Sequence, residues 1–178
     1  MSSVLGPRLA RLEASRARVL ALLVPHDAAA LNRAPAPGRW SALQVLHHVV
    51  ESEAATLGYI RKKMQAGASL PAAGLGSRLR RMVVQLGLAL PLRFKAPAVA
   101  AGVPGVVEPD RLRARWDAVR SGWRELLEAF PSDLEGRLVF RHPFAGRMDL
   151  ADTLAVLQAH LDHHVPQVER ALAPRFEA

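Results

Sequence analysis

The fold of this chain is indicated most directly by residues 149–172, which read DLADTLAVLQAHLDHHVPQVERAL. Leucine and valine recur in this stretch at intervals of three and four residues, which is the spacing of one apolar face on an α-helix. Asp149 stands where an N-cap is expected. We therefore predict a helix that begins after Asp149, ends near Leu172 and carries three histidines.

Three further stretches have the same helical spacing. They cover residues 7–23, 41–65 and 110–130. Ser41 and Gln44 form the sequence of a capping box at the start of the second helix. A shorter basic and apolar helix is expected at 76–89. We predict an all-α protein in which residues 1–178 make one domain, a four-helix bundle with an extra helical segment between helices 2 and 3.

The net charge of +8 is concentrated in one part of the chain. Eight basic residues and no acidic residue fall between Glu53 and Glu108, and the other residues carry equal numbers of positive and negative charges. We call residues 61–95 the basic segment. It could bind nucleic acid by counterion release or lie on an anionic membrane, but it has one aromatic side chain, Phe94, and no base-reading motif. We expect neither partner, and we favour a solvated face or a dimer contact.

The composition excludes several kinds of chemistry and location. The chain has no cysteine, which excludes disulfides, thiolate metal sites and a cysteine nucleophile. The first thirty residues lack the pattern of a secretory signal, and the longest nearly uncharged apolar run, 82–92, is too short to span a bilayer. We expect a cytoplasmic protein, and any thiol in its chemistry must come from another molecule.

Five of the seven histidines fall in two clusters, His47-His48 and the segment HLDHH at 160–164. Residues four apart on a helix share a face, at about 5–6 Å between their Cβ atoms, so His160 and His164 can point at one ion. A third imidazole from another helix would leave positions for water or substrate, as in catalytic metal centres. The H-x-x-x-H spacing alone is frequent by chance, so capping, core or solvent-facing histidines are the alternative.

A wider pattern of motifs surrounds these histidines. It comprises Gly38-Arg39-Trp40-Ser41, Val45-Leu46-His47-His48-Val49, Glu53, His142-Pro143 and His160-x-x-His163-His164-x-x-Gln167. In its combination and order, this pattern resembles the DinB/YfiT-like family of metal-dependent enzymes. The resemblance implies an up-down-down-up four-helix bundle and a divalent metal held by three histidines. Carried over to this chain, the ligands are His48 from the second helix and His160 and His164 from the last, with His47 as the substitute for His48.

The resemblance also implies a kind of chemistry. An ion held by three histidines can lower the pKa of bound water or deprotonate a coordinated thiol, and characterised relatives include thiol-dependent S-transferases and isomerases. We expect a metal-dependent S-transferase or hydrolase that acts on a small-molecule substrate as a homodimer. Zinc or nickel is the favoured metal, and a low-molecular-weight thiol is a candidate cofactor. The alternative is a non-catalytic module that binds nucleic acid, an anionic membrane or a protein partner through the basic segment.

Some polar residues are candidates for supporting roles at this site. Neutral histidine ligands need an acceptor for the second ring nitrogen, and Gln44, Glu51 and Gln167 each lie about one helical turn from a histidine. His163 is expected to be solvated or to support a ligand rather than to bind the ion. Pro166 lacks an amide hydrogen, so it should bend the last helix beside the site.

Other residues are assigned structural roles. The three tryptophans are predicted core residues, although Trp40 can also line the cleft. His142, beside a proline in a turn-rich connector, is predicted to belong to a structural turn. Glu53 and Asp162 are possible general bases, but salt bridges on helix faces are the favoured interpretation.

Overall fold

The computed structural model describes residues 4–65, 70–74, 76, 79, 82–83, 102–143 and 146–173, and it is mostly helical. The helices with assigned bounds are α1 (Leu5–Leu23), α2 (Ala28–Asn32), α3 (Ala42–Gln65), α4 (Pro109–Glu128) and α5 (Leu150–Leu172). Between α4 and α5 lie a 3₁₀ helix (Ser132–Leu134) and two short strands, β1 (Phe140–His142) and β2 (Gly146–Met148). The four long helices were predicted to within about two residues at each end, whereas α2 and the strands were not predicted.

Side-chain caps fix the starts of α3 and α5. The backbone N–H of Ser41 donates to Gln44 Oε1 at 2.9 Å, and the N–H of Gln44 donates to Ser41 Oγ at 3.2 Å. The predicted capping box is therefore confirmed. At α5, the carboxylate of Asp149 accepts from the N–H of Asp152 at 2.7 Å, which confirms the predicted N-cap.

The segment that leads into α4 is held at two points. The side-chain amide of Gln44 donates to the carbonyls of Pro104 and Gly105, at 2.9 and 3.4 Å. Asn32 of α2 makes two hydrogen bonds with the backbone of Val107, at 3.0 and 2.9 Å. These bonds attach the chain that enters α4 to α2 and to the start of α3.

Ion pairs between helices show the directions of α1, α3 and α4. α3 and α4 run parallel, because their pairs advance together along both helices. These pairs are Glu51–Arg115, Glu53–Arg120 and Arg61–Glu125. α1 runs antiparallel to α4, because its later residue meets the earlier residue of α4. Those pairs are Glu13–Arg120 and Arg16–Asp117.

The direction of α5 follows from its contacts with α3 and α1. His48, near the start of α3, lies beside His160 and His164, whereas Tyr59, near the end of α3, packs against Phe140 just before α5. α5 is therefore antiparallel to α3. It is parallel to α1, because the first residues of both helices line one shallow cavity of about 340 Å³. The topology is up-down-down-up, as predicted.

The apolar faces of the four long helices form the core and enclose one ion pair. Trp116 and Trp123 of α4 are buried, as predicted. Glu53 and Arg120 are also fully buried, with 2.9 Å between Glu53 Oε1 and Arg120 Nη2. Trp116 Nε1 donates to the other carboxylate oxygen of Glu53 at 3.1 Å. The predicted salt bridge of Glu53 exists, but it lies inside the bundle between two helices rather than on a helix face.

The connector before the last helix, predicted to be rich in turns, contains a β-hairpin. β1 and β2 pair in antiparallel fashion, with Phe140 opposite Met148 and His142 opposite Gly146. Phe140 packs against an apolar cluster formed by Met148 and by Val156 of α5. The hairpin therefore lies along the first turns of α5.

Several predictions fall partly or wholly beyond the described residues. Most of the predicted helix at 76–89 and the basic residues from 78 to 95 lie outside the described part of the chain. Within the described part, Arg61 pairs with Glu125 and donates to the carbonyl of Gly122, so it connects α3 to α4. In the same part, no helix is long and apolar enough to cross a membrane. The single domain and the cytoplasmic location stay predictions.

Candidate metal centre

Three histidines from two helices meet at one point. His48 of α3 and His160 and His164 of α5 each offer a ring nitrogen, and these three nitrogens lie within 4.8 Å of one another. The ring centroid of His48 is 5.2 Å from those of both His160 and His164, which are 4.7 Å apart. The structure thus brings together the three residues named from the sequence, and the cluster does not include His47. Their role as metal ligands stays a prediction.

The local sequence of α5 places its two histidines at the edge of the core. His160 and His164 are separated by one helical turn and share a face. Leu161 is fully buried, whereas both imidazoles are half-buried. Because α3 and α5 are antiparallel and in contact, half-buried His48 reaches the same edge from the other helix. The cluster therefore lies at the edge of the core, with all three rings partly exposed.

Gln167 orients one of the three imidazoles. Its side-chain oxygen is 2.9 Å from Nδ1 of His164, so Nδ1–H donates to it and the lone pair of the ring is on Nε2. This Nε2 lies 3.2 Å from Nε2 of His160. Histidine nitrogens bind a zinc ion at about 2.1 Å. If the nitrogen–metal–nitrogen angle lies between the octahedral and tetrahedral values, two such nitrogens are about 3.0–3.4 Å apart. The observed separation is compatible with a shared divalent ion and equally with a hydrogen bond between the two rings.

Burial keeps these imidazoles neutral. Desolvation lowers the pKa of His164 to about 4. Desolvation also lowers the pKa of His48, and it lowers that of His160 well below its ordinary value, with a further decrease from the neighbouring imidazoles. A metal ion needs the unprotonated ring nitrogen, so the lowered pKa values are compatible with metal binding at neutral pH.

Of the three residues predicted to accept a hydrogen bond from a histidine ring, one does so and two bind other partners. Gln167 has the predicted role of acceptor for a histidine ring. Gln44 is used instead in the capping box and on the carbonyls that precede α4. Glu51 accepts two hydrogen bonds from Arg115 of α4, which lower the pKa of Glu51. The predicted bend at Pro166 stays a prediction, and α5 continues through this residue to Leu172.

The two remaining polar residues of the HLDHH segment lie beside the cluster. The ring of His163 is half-buried, with its centroid 5.3 Å from that of His164, outside the set of three nitrogens. Asp162 accepts from Arg18 of α1 at 2.8 Å. Its predicted salt bridge exists and joins two helices.

Two aromatic rings flank the cluster. The centroid of Trp40 is 5.5 Å from that of His48, and Trp40 is half-buried, so it lines the site while packing against the core. His142 lies in β1 and is half-buried, and its proximity contributes to the lowered pKa of His160. The sequence analysis placed His142 in a structural turn and missed this proximity. The available signal was the His-Pro pair just before the helix that carries two of the histidines.

The cavity at the first residues of α1 and α5 is separate from this cluster. Its lining contains no histidine. His160 lies ten residues after the start of α5, which is about 15 Å along the helix axis. The histidine cluster is therefore a different feature of the bundle.

Comparisons with known proteins support this architecture. A family model described as the DinB superfamily matches residues 11–168. Among solved structures, the chain is similar to the crystal structure of TT2238, a four-helix bundle protein, with 26% sequence identity and a TM-score of 0.55. The match covers 93% of this chain and 98% of that chain. A search of curated proteins gave no match. The description of TT2238 gives a fold and no activity.

Proposed function

Because this chain belongs to the DinB superfamily, we propose that it is a metal-dependent enzyme whose divalent ion is held by His48, His160 and His164. The observation that carries the proposal is the meeting of three neutral imidazoles from two antiparallel helices. The region matched by the family contains all three residues. Nε2 of His160 and Nε2 of His164 lie 3.2 Å apart, so both can face one cation.

The donor set favours particular metals. Imidazole suits zinc and nickel, and the chain has no cysteine to provide a thiolate. We propose zinc or nickel as the resident ion. When bound, such an ion would lower the pKa of a coordinated water or thiol toward neutrality.

The chain's own residues prepare this chemistry. Gln167 holds the proton of His164 on Nδ1 and leaves Nε2 for the ion. Trp40 offers an apolar wall beside His48, which suits a small substrate with an apolar part. We propose that the protein either transfers a small thiol to such a substrate or hydrolyses the substrate. Since the protein has no thiol of its own, the thiol would come as a second small molecule.

Metal analysis tests the proposal. Purified protein reconstituted separately with zinc, nickel and manganese, then desalted, should retain about one ion per chain of at least one metal by mass spectrometry. His160→Ala and His164→Ala should retain almost none, with an unchanged helical circular-dichroism spectrum. His163→Ala is the matched control, since it removes an adjacent imidazole outside the cluster, and it should retain the metal. Stoichiometric binding of none of the three metals would refute the proposal.

An activity screen follows from the same proposal. The metal-loaded protein should be assayed with several biological thiols and small electrophiles. Turnover should depend on the metal and should be lost in His164→Ala. Turnover that persists after metal removal would contradict the proposed role of the ion.

A further inference from the structure

The hairpin brings a fourth imidazole toward the three histidines. Side chains of a strand alternate between its two faces, so Phe140 and His142 share one face of β1. Their ring centroids are 6.4 Å apart. Phe140 packs against the cluster formed by Met148 and by Val156 of α5, so this face of β1 is turned toward α5. His142 is accordingly half-buried.

The position of His142 along α5 follows from helix and strand geometry. Two residues of a strand advance the chain by about 6.6 Å, and four residues of a helix advance it by about 6 Å. Phe140 packs against the cluster that contains Val156, so a step from Phe140 to His142 along α5 is about as long as the step from Val156 to His160. His142 is the smallest of the contributions that lower the pKa of His160, which is consistent with a position of its ring beside α5.

His142 stands near the cluster without being part of it. Its ring nitrogens are not among the three that lie within 4.8 Å of one another. A ring that lies near the cluster but outside it is suited to contact what the site binds rather than the ion itself. Burial lowers the pKa of His142, and a neutral imidazole has one N–H donor and one acceptor nitrogen.

We propose that His142 is a substrate-contacting residue that hydrogen-bonds to a polar or anionic group of the small molecule bound beside His48, His160 and His164. The inference rests on the proposed function and adds a substrate class to it. A ligand there would meet the indole of Trp40 beside His48 and the imidazole of His142 near His160. This combination favours a small molecule with an apolar part and a carboxylate or hydroxyl group.

Cobalt-loaded protein allows the metal and the ligand to be measured separately. Co²⁺ affinity is obtained from a titration of metal-free protein, and mercaptoacetate, a small thiol with a carboxylate, is then added as the probe while the visible spectrum of Co²⁺ is followed. His142→Phe keeps an aromatic ring against Phe140 but removes both nitrogens. We expect His142→Phe to bind Co²⁺ with the affinity of the unaltered protein. We expect it to bind mercaptoacetate about tenfold more weakly, because one hydrogen bond to a charged group is lost. His142→Gln, which restores an N–H donor, should recover most of the affinity for the probe.

Each outcome of this experiment separates the two proposals. If His142→Phe and the unaltered protein bind mercaptoacetate equally, the contact with His142 is refuted and the metal site stands. If His142→Phe weakens Co²⁺ binding itself by more than about tenfold, His142 acts on the ion or the fold, and the inference is again refuted. If the unaltered protein binds no Co²⁺, the proposed function and this inference both fail.

Discussion

Two glutamates of α3 differ in burial, although each pairs with an arginine of α4. The shortest N–O distance is 2.9 Å for both Glu51–Arg115 and Glu53–Arg120. The first pair is exposed to solvent, where ion pairs contribute about 0–1 kcal/mol. The second is fully buried, so loss of Glu53 leaves the buried guanidinium of Arg120 with the longer pair to Glu13, at 3.8 Å. Burial raises the pKa of Glu53, and the hydrogen bonds from Arg120 and Trp116 oppose this effect.

Substitution of these glutamates should therefore have unequal effects. Glu53→Ala should lower the free energy of unfolding by about 3–5 kcal/mol, because Arg120 remains buried. Glu51→Ala is the matched control on the same helix and should change it by less than about 1 kcal/mol. Urea denaturation of both variants measures the difference. Losses of similar size would show that the burial of Glu53 has no energetic consequence.

The histidine cluster predicts that the metal-free protein is sensitive to acid. The ordinary histidine pKa is 6.5, which applies to the unfolded chain, whereas that of His164 in the folded state is about 4. As the pH falls, the unfolded state binds protons first. The free energy of unfolding should thus be highest above about pH 6.5 and should decrease steadily toward pH 4.

Urea denaturation of the metal-free protein at several pH values between 7 and 4.5 measures this decrease. His164→Leu removes one of the responsible groups, so its stability should decrease less steeply over the same range. An equal slope for the variant and the unaltered protein would contradict the low pKa of His164.

At the level of single residues, the sequence was most informative where function depends on local spacing. The four-residue interval on α5 predicted that two histidines share a face. It could not show which polar neighbour serves them, since Gln44, Glu51 and Gln167 all lie about one turn from a histidine. That choice depends on distant residues, because Arg115 of α4 binds Glu51 and the chain before α4 binds Gln44.

Among the elements, the long helices were predictable and the hairpin was not. Repeated apolar spacing, caps and prolines are encoded within each helix, so its ends can be read from the sequence. The strands of the hairpin have three residues each, too few for an alternating pattern, and Pro143 and Gly146 favour the interpretation of a turn. The packing of Phe140 on α5 supports the pairing, and this contact involves residues that the local pattern does not contain.

The contact between α3 and α4 leads to a prediction at Gly122. A Cβ atom at this position would lie 2.7 Å from Leu57 Cδ2 and 3.1 Å from Arg61 Nη2. Gly122→Ala should therefore introduce overpacking of about 1–3 kcal/mol, which exceeds the gain of about 1 kcal/mol in helix propensity. We expect a net loss of stability of about 1 kcal/mol in thermal denaturation.

Gly58 offers a control for the same substitution. It lies exposed on α3, and a Cβ there would meet no atom within 4 Å. Gly58→Ala should raise the stability by about 0.5–1 kcal/mol through helix propensity alone. An increase in both variants would show that α3 and α4 have room for a methyl group at Gly122.

For the whole molecule, the bundle topology brings together metal-binding candidates that are distant in the sequence. His48 lies more than a hundred residues from His160 and His164, so an unfolded chain must close a long loop to hold all three around one ion, which the folded bundle does in advance. The family resemblance predicted this meeting, whereas helical periodicity alone predicted only the pair on α5. The substrate, the homodimer and the role of the basic segment stay predictions.

Metal binding should consequently stabilise the complete fold. With free Zn²⁺ at about a hundredfold excess over the dissociation constant, the free energy of unfolding should rise by about 2.7 kcal/mol. The measurement is urea denaturation with and without Zn²⁺. His164→Ala should show a much smaller increase, and an equal increase in this variant would mean that the stabilising ion binds elsewhere.

The hydrogen bonds of Gln44 and Asn32 fix the place at which the chain returns to the bundle before α4. Earlier in the chain, residues 70–73 are attached to the connector before α5, because the N–H of Ala73 donates to Gly136 and the N–H of Leu138 donates to Pro71. A designer who shortens or replaces the chain between α3 and α4 would therefore have to preserve both attachments to leave α4 and the connector in place.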